Sequence, residues 1–206
     1  MKKEIIRRLT LVAMVACLFS VPVLAQKSSS TEEQWNSLLI ALSTEDWDSA
    51  YRLSGSLIER IKTDNSDKDL AKIRYMFLYS GAGRVLAGKM TYDELEKVVK
   101  PFVGTELVIP FRTVRETCGG SNLNSICADN KDKKSLLVPA TNKAGTTILA
   151  FEYYKFKDDP KLSRSVGSAV SFSGIVTAIQ PNPNRSNLII LRIYLDDAKI
   201  FETRKK

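Results

Sequence analysis

The sequence predicts an α+β protein, with an N-terminal helical-hairpin domain followed by a C-terminal β-barrel-like domain. Three observations carry this reading. Apolar residues recur at helical spacing from about residue 30 to residue 103. After Gly104 the texture changes to β-branched and aromatic runs between Asn, Gly and Pro clusters. Helices followed by strands, rather than alternating with them, indicate α+β. Finally, residues 1–25 have the pattern of an export signal and are set aside from the fold.

That first segment opens with Lys2, Lys3, Arg7 and Arg8, continues as an apolar run from Leu9 to Leu24, and ends in Val23-Leu24-Ala25. A basic start, an apolar middle and small residues at the end form a secretory signal peptide, with cleavage expected after Ala25. The run is shorter than the roughly 20 residues that span a bilayer. Met14-Val15-Ala16-Cys17 loosely resembles a lipobox, but Met fits its first position poorly and Leu18 to Leu24 would trail the lipid. Lipidation at Cys17 is therefore the lesser expectation. The chain should be periplasmic or secreted, with no membrane span after cleavage.

Residues 26–30 read as a disordered leader, and residues 31–104 as the helical domain. Ser30 and Glu33 fit a capping box, after which Trp35, Leu38, Leu39 and Leu42 fall at helical spacing. Asp46 or Asp48 is placed to cap a second helix carrying Trp47, Ala50, Leu53, Leu57, Ile58 and Ile61. Thr63 to Lys68 is a polar break. A third helix is expected over about 69–87 and a fourth over 92–99, stopped by Pro101. The segments Glu45 to Ala50 and Lys89 to Leu95 echo each other: in each, an aromatic is followed by two polar residues and then a small or apolar one. With Trp35-x-x-Leu38, this resembles the inter-helix turn of tetratricopeptide-like repeats, at a wider spacing and in only two units.

Residues 105–206 form the expected β-rich domain. Strands are predicted over Glu106 to Thr117, Thr146 to Phe156, Ala169 to Ile179 and Leu188 to Leu195, with a turn at Pro181-Asn182-Pro183-Asn184. Asp196-Asp197 reads as the turn of a hairpin spanning Asn187 to Ile200. Val166-Gly167 to Gly174-Ile175-Val176 resembles the opening strands of an OB-fold (tRNA-anti-like) domain of exported bacterial proteins. In that family one Gly precedes a strand and a second lets it bend. The resemblance covers about 40 residues. It implies a domain that binds partners.

Composition narrows the chemistry. Residues 1–25 hold four basic residues and one acidic one, so the remainder carries 27 Lys+Arg against 22 Asp+Glu. That is mildly basic, short of the excess of a dedicated nucleic-acid binder. The chain contains no His, which removes the commonest general base and metal ligand and any Ser-His or Cys-His pair. Gly83 to Lys89 has the Gly-x4-Gly-Lys spacing of a phosphate loop, but Met90 stands where Ser or Thr is needed and the context is helical. The acidic pairs Glu32-Glu33, Asp158-Asp159 and Asp196-Asp197 sit at a helix start and at apparent turns, where a structural role suffices. The sequence thus points to no catalytic residue, metal or cofactor.

Two sets of site residues remain. Cys118 and Cys127, with eight residues between them in an exported chain, are expected to form a local disulfide. Tyr153, Phe172, Arg192 and Tyr194 are candidates for a binding face, where aromatics interleaved with basic groups stack and hold a ligand. The function expected is non-enzymatic binding to another envelope or secreted protein. Two alternatives stand beside it. An OB-type binder of single-stranded nucleic acid or glycan requires exposed aromatics on one sheet face. A carboxylate-dependent hydrolase requires a cleft joining two of the acidic residues.

Overall fold

The order of elements follows the switch in periodicity. The computed structural model describes residues 31–64, 67–117, 124–186 and 188–205. Residues 1–25 of the expected export signal, which include Cys17, Ser30 of the expected capping box, and Cys118 lie outside the described residues. Four α-helices come first: α1 (Thr31–Thr44), α2 (Trp47–Asp64), α3 (Asp67–Leu86) and α4 (Tyr92–Val99). Seven strands follow: β1 (Glu106–Val108), β2 (Arg112–Arg115), β3 (Ser125–Cys127), β4 (Ser135–Thr141), β5 (Ile148–Phe156), β6 (Ala169–Pro181) and β7 (Ile189–Arg204). The class is α+β.

Each helix boundary has a local cause. Glu45, at φ 58°, turns the chain after α1, and Asp46 accepts the Ser49 N–H at 3.2 Å to cap α2. Thr91 and Glu94 form a reciprocal capping box at α4, whose Leu95 and Val99 are buried. α3 ends where Gly88 takes φ +69°. A Cβ on Gly83 would lie 2.1 Å from the Trp47 indole, so this glycine exists to seat Trp47 against α3. Gly83 to Lys89 is therefore the close-packed end of a helix, and Lys89 pairs with Asp48. α1 buries Leu38 and Ala41 but leaves Leu39 and Ile40 exposed, although the spacing had grouped Leu39 with the core residues.

α3 is buried on two sides. Leu70 and Ile73 join Leu38, Ala50, Leu57, Ile58 and Ile61 in a cluster among the helices. Tyr75, Leu78 and Ala82 join a larger cluster that includes Leu95, Val99, Val138, Ala150, Tyr154, Phe172, Ile193 and Leu195. Helices and sheet thus share a core, and Thr31–Lys206 forms one compact unit. The boundary expected at residue 104 marks a change of secondary structure within that unit, not a division between two cores.

The sheet is mixed and open, in the order β3-β2-β6-β7-β5-β4, with β1 also paired to β6. β1 and β2 lie in series along β6, opposite Ser173–Ile175 and Ala169–Val170. Pro110 stands between them and breaks what the sequence reads as one strand. The edge strands β3 and β4 approach each other without a ladder. Asn124 Oδ1 accepts the Thr141 N–H at 2.9 Å, its Nδ2 donates to Thr141 Oγ1 at 3.0 Å, and Asn130 Nδ2 donates to the Ser135 carbonyl at 2.5 Å. β4 escapes a sequence reading because Pro139 interrupts it, which only an edge strand tolerates.

The hairpin expected around Asp196-Asp197 is corrected. β7 runs on for 16 residues, and this acidic pair sits at a bulge with Asp197 at φ 51°. Gly174 of β6 faces that bulge. A Cβ there would come within 3.1 Å of Leu195 Cβ and 3.2 Å of the Asp196 carbonyl oxygen. Gly167, at φ +80°, turns the chain into β6.

Candidate binding face

Strand alternation divides one short stretch, Phe151-Glu152-Tyr153-Tyr154, between two environments. Glu152 and Tyr154 are wholly buried, while Phe151 and Tyr153 are half-buried and lie outside both hydrophobic clusters. On β7 the buried Leu191, Ile193 and Leu195 alternate with the half-buried Arg192 and Tyr194.

The inward side holds a polar cluster. Tyr75 of α3 and Tyr154 each donate to a Glu152 carboxylate oxygen at 2.5 Å. Arg112 Nη2 lies 2.9 Å from Glu152 and donates to Tyr75 Oη at 3.2 Å. Burial, reinforced by the Glu152 charge, pushes the Tyr75 and Tyr154 hydroxyls well above the usual range, so both remain donors. Burial works against the Arg112 charge, but Glu152 and the two tyrosines outweigh it and raise its pKa. Every member of this cluster is engaged by another. Its place, between α3 and the sheet, makes it a structural ion pair. Glu152 is the residue that sequence reasoning missed. Its signal was one acid alternating with Ala150, Tyr154 and Phe156 along the strand.

The outward side is built from cross-strand register. One row runs Leu137–Tyr153–Tyr194–Ala178 across β4, β5, β7 and β6, and the next runs Pro139–Phe151–Arg192–Gln180. The Tyr153 and Tyr194 rings are 5.7 Å apart and inclined at 60°. The Arg192 guanidinium lies 5.9 Å from the centre of the Phe151 ring. Tyr194 donates to Gln180 Oε1 at 3.2 Å, and Arg192 Nη2 reaches Asn184 Oδ1 at 3.5 Å. Leu137 is 48% exposed. Among the described residues no carboxylate lies within ion-pair distance of Arg192 or Lys155.

The structure thus brings together three of the four residues named from sequence: Tyr153, Arg192 and Tyr194. Phe172 is corrected. It is wholly buried, with its ring 5.0 Å from that of Tyr154 and 5.6 Å from that of Phe156. It belongs to the core because it points inward from β6. Phe151 joins them, and Gln180 is the member of the face that sequence reasoning left out.

Asp158-Asp159 and Asp197, one member of a second acidic pair, also meet. A cleft of about 620 Å³ is lined by Glu106, Asp158, Asp159 and Asp197, with Lys157 and Lys199 beside them. Asp197 pairs with Lys157 at 3.2 Å, and Asp159 accepts the Lys161 N–H at 2.7 Å, which lowers its pKa. A general acid needs the opposite shift, by desolvation. Among the described residues no group of three or more acidic or Cys side chains is placed to hold a metal ion, and no helix is long and apolar enough to cross a membrane. Cys127 lies in β3, and Cys118, its expected partner, lies outside the described residues.

Comparison with protein-family models, curated proteins and solved structures finds no match to this chain.

Proposed function

We propose that this chain is an exported, non-enzymatic binding protein that captures another envelope or extracellular component on the outer face of β4, β5, β7 and β6. The observation that carries the reading is the pair of adjacent cross-strand rows that set Tyr153, Tyr194 and Phe151 beside Arg192, which has no carboxylate counterion among the described residues. Aromatic rings supply contact area at low entropic cost, and an unpaired guanidinium supplies a directional donor; both are what recognition sites use. The lysine-paired acids of the other cleft support catalysis less well.

The reading includes four further elements. Export rests on residues 1–25, and intact mass of the native protein tests it: a chain beginning at Gln26 is expected, and one retaining residues 1–25 or starting at a lipidated Cys17 refutes it. An OB-type curl of the β region is supported by Gly167 and Gly174 around β6 and by the two Asn124–Thr141 hydrogen bonds that link the start of β3 to the end of β4. A tetratricopeptide-like origin of the helices is supported by Trp47 seating against Gly83. A disulfide is assigned between Cys127 and Cys118, the nearer cysteine in sequence, and peptide mapping of the unreduced protein decides the pairing.

The test of function is capture from the native envelope with the full exported chain and with a Tyr153→Ala/Arg192→Ala double variant as baits. A component retained by the first and lost by the second is expected. Equal retention by both would move the site elsewhere.

A further inference from the structure

Resting on the binding-face reading, we propose that the ligand is an oligosaccharide bearing anionic groups, with its charge held by Arg192 and its rings on Tyr153 and Tyr194. Charge decides the first half. Arg192 Nη2 makes one long contact, to Asn184, and its Nε is buried without an acceptor among the described residues. A desolvated donor left unpaired is costly, and a planar guanidinium matches a carboxylate, sulfate or phosphate bidentately. Lys155, on the same side of β5, is exposed and adds positive charge.

Geometry decides the second half. The two rows span three strand spacings in one direction and two residues in the other, about 14 Å by 7 Å. That footprint is far below the roughly 800 Å² per partner that a stable protein interface buries, and it suits a few sugar rings. Apolar C–H faces of pyranoses lie against the tyrosine rings, while their hydroxyls meet Gln180, Asn184 and the tyrosine hydroxyls. A nucleic-acid strand fits less well. Its phosphates call for a positive charge along the whole track, whereas Asp196 lies two residues beyond Tyr194 on the same side of β7. Rings inclined at 60° also fail to offer the parallel surfaces on which successive bases stack. The charge along β7 therefore orients the ligand, with its anionic group at Arg192 and a neutral end toward Asp196.

The experiment is direct binding of the full exported chain to an array of carboxylate-, sulfate- and phosphate-bearing oligosaccharides, their neutral parents, and oligo-dT. Hits are then titrated by calorimetry. Retention of anionic glycans, a loss of about tenfold or more on neutralising the anion, and a similar loss in Arg192→Ala are expected. Arg192→Lys should recover only part of the affinity, because it keeps the charge without the fork. Tyr153→Ala should weaken acidic and neutral sugars alike. Unchanged thermal melting of each variant separates lost contact from lost fold; if Arg192→Ala melts early, Arg192→Gln replaces it. Equal binding of acidic and neutral sugars would overturn the role of Arg192. Tighter binding of oligo-dT, or no glycan binding at all, would overturn the proposal. If capture from the envelope still depends on the face while every sugar fails, the ligand class is wrong and the binding face stands.

Discussion

Two arginines on the same sheet show opposite uses of one side chain. Arg112 reaches Glu152 and Tyr75 in the core, whereas Arg192 lies over Phe151 with only a long contact to Asn184. Nε of each meets no acceptor among the described residues, so the difference lies at the terminal nitrogens. Where the fold supplies the counterion, the guanidinium is consumed in holding α3 to the sheet. Where it does not, the guanidinium is left with donors to offer. One four-residue stretch of β5 feeds both environments, because alternate side chains leave a strand on opposite faces.

The largest test of this contrast is to remove the buried acid. Glu152→Ala strands Arg112 and two tyrosine hydroxyls in the core and should cost about 3–5 kcal/mol, read by urea denaturation. Arg192→Ala should change stability by less than about 1 kcal/mol in the same assay. Similar costs for the two would erase the distinction between a structural and a recognition arginine.

A second test strains the helix layer that covers the inner side. Gly83→Ala drives a methyl group into the Trp47 indole, and overpacking of this kind should cost about 1–3 kcal/mol. The melting temperature should fall while ligand capture by the outer face persists at temperatures where the variant stays folded. Loss of capture in the folded variant would show that the two faces are coupled.

Alkaline titration separates the faces by chemistry. Burial pushes the Tyr79 hydroxyl up from 10.0 to about 12, and Tyr75 and Tyr154 are raised well above the usual value. A phenol whose pKa is higher folded than unfolded holds its proton more tightly in the native state. Its contribution is complete below pH 10 and is lost as pH rises through the folded value. Stability should therefore fall from about pH 10 upward, and Tyr79→Phe should reduce the slope between pH 10 and pH 12. A flat profile over that range would contradict the burial of these rings.

The smallest expected effect is at a helix end remote from the binding face. Thr91→Ala removes the α4 capping box and should cost about 1 kcal/mol. Binding affinity should be unchanged; a changed affinity would place α4 in the recognition surface.

Particular residues show why the sequence was readable in places. α4 was legible at its C-terminal end because Pro101 acts locally; the Thr91–Glu94 capping box at its start is just as local but went unread. Tyr153, Arg192 and Tyr194 were legible as one face because strand alternation is also local. The partnership of Glu152 with Arg112 and Tyr75 was hidden, since its members are 40 and 77 residues apart. Phe172 was misplaced although β6 carries a local signal: Val170 and Phe172 alternate with Ser171 and Ser173, which puts Phe172 on the core side with Tyr154 and Phe156. Asp196-Asp197 has the chemistry of a turn, yet β6 and β5 hold β7 on both sides and convert that preference into a bulge.

The bridges from Asn124 and Asn130 have a consequence for behaviour in a crowd. A sheet margin with free backbone groups is a template on which a stray chain aligns and grows into an aggregate. Along β4 the Thr141 N–H and the Ser135 carbonyl are already occupied by side-chain amides, and Pro139 between them has no N–H to give. Two asparagines and a proline thus cap three positions along this border and leave a stray strand fewer groups to pair with.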